Sequence, residues 1–186
     1  MRKTIILISL ALVSLGAFAQ HDHSMMTNKS KVQPSVKVEH SKSASAIIDN
    51  YMALKDALVK EDSKSAASLG QKLLDVFPKF DAAGVAEQQK KEVTTIIKDA
   101  SQQAKHIADN SGNIAKQREY FELLTKGVKD LIVITGSDRT LYQAYCPMYN
   151  NNKGGAWLST SKEINNPYFG SKMLKCGSVQ QEISVK

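Results

Sequence analysis

Four apolar stripes at helical spacing run through residues 43–136 and limit what this chain can become. Ile47, Tyr51, Leu54 and Leu58 fall at i, i+4, i+7 and i+11, which lines one face of an α-helix. Ser43 or Ser45 can cap its start. Asp62 or Ser63 can cap a second helix with Ala66, Leu69, Leu73 and Phe77 inside, and Pro78 stops it. A third is predicted over 85–109, with Val93, Ile96, Ala100, Ala104 and Ile107 inside, broken by Asp109-Asn110-Ser111-Gly112. The fourth, over 114–134, buries Phe121, Leu124, Val128 and Leu131 and ends at Gly136. Each stripe needs partners, since none of these helices is apolar all round. Short connections between them predict an all-α fold, an antiparallel up-down four-helix bundle.

The flanks differ in texture. Residues 1–19 have a basic start (Arg2, Lys3), an apolar run and Ala17-Phe18-Ala19. That is the pattern of a secretory signal peptide, with cleavage expected after Ala19 and a periplasmic destination. Its apolar run is short for a transmembrane helix, so no stable membrane insertion is expected. Residues 20–42 are polar without periodicity and read as a disordered tail. Residues 137–186 carry glycine, asparagine, proline and late aromatics. They read as an irregular cap, with room for a small hairpin, packed on the bundle through Trp157 and Tyr168. So long an irregular stretch buries little apolar surface alone, and something must staple it.

The formal charge of +7 falls to +5 without Arg2 and Lys3. The remaining lysines are interleaved with acids rather than gathered into a basic stripe, which argues against nucleic-acid binding. Catalysis has no visible constellation either. There is no Ser/His/Asp order and no phosphate-cradling glycine loop, and Asp99, Asp109 and Glu119 are not paired by any spacing. The chain reads as a protein that is not an enzyme.

The chemistry-bearing residues are sulfurs. Cys146 and Cys176 are the only cysteines. In an exported protein they can form a disulfide, and closing a loop of that size contributes roughly 3–4 kcal/mol in the chain-entropy treatment. Met148 follows Cys146 by two positions and Met173 precedes Cys176 by three. Thiolates and thioethers together suit Cu(I), or Ag(I) by the same softness. Zinc is less suited, because no C-x₂₋₄-C unit is present. His106, the one histidine inside the predicted fold, could complete such a site or lie on the surface. His21, His23, Met25 and Met26 add a second soft set on the tail, read as a metal-collecting arm.

The segments IIDNYMALKDALVKEDSKSAASLGQKL, AKHIADNSGNIAKQREYFELLTKGVKDL and YCPM…WLS…INNPYFGSKMLKCGSV carry a resemblance over about 45–183. They resemble a bacterial family of exported domains of unknown function. Its members occur alone or fused to the membrane fusion proteins of heavy-metal (copper/silver) efflux pumps. The resemblance implies a helical bundle with a sulfur-bearing C-terminal segment and a link to copper homeostasis. His106, Cys146, Met148, Met173 and Cys176 match family positions. Arg118 and Phe121 are implied to be structural, Phe121 in the core and Arg118 pairing with a helix end or the cap. Relatives often carry histidine where Tyr120 and Tyr145 stand here. That departure biases any site toward an all-sulfur set, or leaves only a disulfide.

Two functions follow as expectations. One is a periplasmic soft-metal-binding protein that buffers Cu(I) or delivers it to an efflux adaptor or pump component. The other is a non-catalytic protein-interaction domain stapled by Cys146–Cys176.

Overall fold

The computed structural model describes residues 33–186. The stripes become α1 (Ser45–Val59), α2 (Ser63–Val76), α3 (Glu87–Asp109) and α4 (Ile114–Thr135). Ile47, Tyr51, Leu54 and Leu58 are all buried, as are Phe121, Leu124, Val128 and Leu131. Local chemistry sets the ends. Asp62 accepts the N–H of Ser65 at 2.9 Å and caps α2. Asn113 accepts the N–H of Lys116 at 3.1 Å and caps α4. Pro78 sits in a 3₁₀ turn, Phe77–Lys79, that ends α2. Consecutive helices pack side by side.

The fold class differs from the all-α expectation. The chain is an α/β fold, because the helices share the molecule with a four-stranded mixed sheet ordered β1-β4-β2-β3. Its strands are β1 (Val36–Val38), β2 (Leu141–Cys146), β3 (Gly155–Ser159) and β4 (Ser178–Val185). β2 runs antiparallel to β3 and β4, whereas β1 joins β4 in parallel, Val36 opposite Ile183 and Val38 opposite Val185. The segment expected to be an irregular cap therefore supplies three strands. β1 lies inside the stretch 20–42 expected to be a tail. Three residues are too few to show a period, and their partner stands at the other end of the chain.

One core serves both layers. Val38, Leu141, Trp157, Leu158 and Ile183 from the sheet join Phe121, Leu124, Val128 and Ile132 from α4 in a single cluster. α4 also packs on α3, so it is apolar on two sides. An edge strand normally exposes unpaired backbone groups, but β3 is closed by side chains. The Leu158 N–H donates to Tyr51 Oη at 3.0 Å, and the Tyr168 hydroxyl donates to the Ala156 carbonyl. Among the described residues no helix is long and apolar enough to cross a membrane.

Candidate functional site: the stapled cap and the groove beside it

Cys146 ends β2 and is fully buried, while Cys176 is half-buried just before β4. The two form a disulfide, with Cα atoms 5.7 Å apart, inside the ordinary range for such a bridge. The ladder brings them there. β2 and β4 are neighbours, with Tyr145 opposite Ser178, so the bridge sits where their pairing stops. Gly177 makes the approach feasible. Its φ is +132°, and a Cβ there would lie 2.8 Å from Trp157 Cη2 and 2.9 Å from the Tyr145 carbonyl oxygen.

Met148 is half exposed, at the start of a helical turn (Tyr149–Asn152) that is left-handed at Asn150 and Asn151. Asparagine tolerates that conformation better than other side-chain-bearing residues. Met173 is half-buried, and its carbonyl accepts the Cys176 N–H at 2.9 Å. His106 lies in the last turn of α3 with its ring stacked on Tyr120, centroids 4.4 Å apart. Among the described residues no group of three or more His, Cys, Asp or Glu side chains is placed to hold a metal ion. The thiols of the expected sulfur set are joined to each other. His21, His23, Met25 and Met26, like residues 1–19 with their expected signal peptide, fall outside the described residues.

One polar residue lashes the cap to the helices, and a second braces the cap from within. Arg118 donates from Nε to the Pro167 carbonyl at 2.7 Å and from Nη2 to the Leu58 carbonyl at 3.2 Å. It thus meets both a helix end and the cap, while Phe121 is core, as the resemblance implied. Burial lowers the Arg118 pKa, and the nearby Glu61 carboxylate, 3.6 Å away, opposes that shift. Asn166 was not singled out in the sequence. It is buried, donates Nδ2–H to the Cys176 carbonyl at 2.8 Å and accepts the Tyr168 N–H at 2.8 Å. Its place before Pro167 was the available signal, since Asn-Pro pairs often open turns.

A groove of about 400 Å³ opens between α4 and the β2–β3 pair, lined among others by Glu122, Lys129, Gln143, Tyr145 and Gly155. Its charges are unevenly satisfied. Lys126 pairs with Asp130 at 2.5 Å. Lys129 is half-buried and donates to the neutral Gln143 Oε1 at 2.5 Å. Burial lowers its pKa, with Asp130 pulling the other way and Lys126 adding to the drop. Glu122 is half-buried and, among the described residues, has neither a hydrogen bond nor an ion pair. Burial alone raises its pKa. Against Gly155, Tyr149 stacks on Tyr168 at 4.1 Å, and burial pushes the Tyr149 hydroxyl up to about 12.

Residues 47–140 match a family described as "Protein of unknown function (DUF3347)". The chain belongs to this family. The match to the DUF3347 family spans nearly all of α1, the rest of α2–α4, and the turn beyond, stopping just before β2. The disulfide and the groove's sheet wall lie beyond the matched stretch. No curated protein and no solved structure matches the chain.

Proposed function

We propose that this DUF3347 member is an exported, non-catalytic interaction domain that binds a protein partner in the periplasm. The partner class we favour is an adaptor or pump component of heavy-metal efflux. The reading is carried by one observation, the Cys146–Cys176 disulfide. A bridge of this kind persists in oxidising compartments, which agrees with the leader-like residues 1–19. It consumes both thiols that a soft-metal site would use as thiolates. The buried tyrosines support a structural use of polar groups in this molecule. Tyr51 and Tyr168 spend their hydroxyls on closing the edge of β3.

The test is made in intact cells. A photo-crosslinking residue is placed at Lys153 or Leu123, on the rim of the groove, with another at exposed Lys98 as a control. The reading expects a discrete adduct with an efflux component from the rim positions only, from a protein whose cysteines resist alkylation until reduced. Rim positions that capture no more than Lys98, or freely alkylated thiols, would contradict it.

A second reading is soft-metal binding by the reduced form. Two features favour it: the backbone holds the cysteines 5.7 Å apart at Cα, and half-exposed Met148 lies two positions beyond Cys146. Thiolate donors must lose protons, so such binding weakens as pH falls. Reduced protein titrated with Cu(I) against a chromogenic chelator decides it. Equal binding by wild type, Cys146→Ser and Met148→Leu would exclude this site.

A further inference from the structure

We propose that the groove between α4 and the β2–β3 pair takes a short zwitterionic peptide, about three residues long, with its ammonium at Glu122 and its carboxylate at Lys129. The inference goes beyond the reading of this chain as a protein-binding domain and does not rest on it: it assigns the floor of the groove a small ligand of its own.

Glu122 and Lys129 are seven positions apart on α4, which places them on one face, two turns and about 10.5 Å apart along the axis. Both line the same groove. An extended peptide spans about 3.3–3.6 Å per residue, so three residues bridge the two charges, whereas a single amino acid carries both of its charges on one carbon and is too short. Neither group has an ion-pair partner among the described residues. Glu122 has no partner among the described residues. Lys129 gives one of its three N–H groups to a neutral amide oxygen, and Asp130, the acid that acts on it, is bonded to Lys126. Exposed Lys153, on the opposite lip, adds a second cation.

The space between the two ends suits a backbone. Gly154 and Gly155 line the groove, and their bare Cα atoms let Tyr145 pack on the first and Tyr149 and Tyr168 on the second, so the wall presents backbone and ring edges. Gln143 uses its carbonyl oxygen on Lys129. Its amide N–H groups have no acceptor among the described residues and can donate to a peptide carbonyl. Burial works against the charge on both Glu122 and Lys129, so a counter-charge at each end relieves a cost already present in the free protein.

The test uses the full chain with its disulfide intact and three probes: Ala-Ala-Ala with free termini, its N-acetyl form and its C-terminal amide. Calorimetry gives affinity and amide shifts give the place. The free peptide is expected to shift resonances of Glu122, Lys129, Gln143 and Gly155. Each cap should weaken binding about tenfold or more, the loss of one charge-assisted contact. In Glu122→Gln the free and N-acetyl peptides should bind alike, and in Lys129→Gln the free and amidated ones. The three probes on wild type decide the matter even where a variant folds poorly. Equal binding of capped and free peptides, or no shift at millimolar peptide, overturns the groove assignment and leaves the non-catalytic reading standing. Free peptide bound as expected but recovered shortened upholds the groove and overturns that reading.

Discussion

The Tyr51 hydroxyl accepts the Leu158 amide at 3.0 Å and lies 2.7 Å from Thr125 Oγ1, tying α1, α4 and the outer edge of β3 at one buried point. The Tyr51 ring stacks on Phe121 with centroids 5.1 Å apart. Burial pushes the hydroxyl's pKa well above its usual range, so it stays a neutral phenol throughout the physiological pH range.

Tyr51→Phe keeps the stack and deletes the hydroxyl. The Leu158 N–H is then left buried without an acceptor, which costs about 1–3 kcal/mol. Urea unfolding of the variant should show a lower midpoint with an unchanged slope. A midpoint equal to that of wild type would mean that water replaces the hydroxyl and that the closed edge of β3 matters little.

Removing the staple should act mainly through the unfolded chain. The bridge joins residues 30 positions apart, a loop worth roughly 3–4 kcal/mol in the chain-entropy treatment. The Cys146→Ala/Cys176→Ala variant should lose about that much stability and keep its sheet, because the ladders of β2 with β3 and β4 remain. Chemical denaturation reads the first effect and amide exchange in β2 the second. Complete loss of the sheet would show that the ladder depends on the bridge.

Gly170 should not tolerate a side chain. Its φ is +56°, and a Cβ would lie 2.5 Å from Glu61 Cγ and 3.0 Å from Arg118 Nη2. The left-handed conformation alone costs alanine roughly 1–2 kcal/mol, and the crowding adds to that. Glu61 is itself at φ +59° and accepts the Ser171 hydroxyl at 2.6 Å. Combining Gly170→Ala with Glu61→Gly removes the two closest clashing atoms and leaves only Arg118 Nη2, so the double variant should be more stable than the sum of the singles predicts. Additive losses would locate the cost in the backbone alone.

Stability should fall in acid for a definable reason. Hydrogen bonds from Ser171 hold Glu61 below the ordinary carboxylate range, and the Arg139 guanidinium does the same for Asp138. A group whose folded pKa is depressed binds more protons when unfolded. Its contribution is therefore present above the ordinary pKa of about 4 and is lost as pH falls through the folded value. Glu122 has the opposite sign. Its folded pKa is raised by burial, so its ionised form disfavours folding at neutral pH. Glu122→Gln should be more stable than wild type at pH 7, with the gain vanishing below about pH 4. Urea midpoints taken across that range check both signs, and a gain that grew toward acid pH would refute the burial argument.

Residues near one another in the chain made the helices legible. A 3.6-residue period repeats several times in a helix, and caps and stops such as Asp62, Pro78 and Gly136 act within a turn of their own positions. The sequence by itself therefore determined four amphipathic helices and their inner faces, Phe121 among them, and that Cys146 and Cys176 were the residues able to staple the late segment, while the part played by Arg118 came from the family resemblance. Only the tertiary structure decided that this segment and Val36–Val38 make one mixed sheet, that the cysteines meet each other, and that Glu122 and Lys129 share a groove. Strands of three to eight residues show too few periods to be read alone. Their partners are chosen by contacts between distant parts of the chain, and a groove's charges become a pair only when a helix and a sheet are laid side by side.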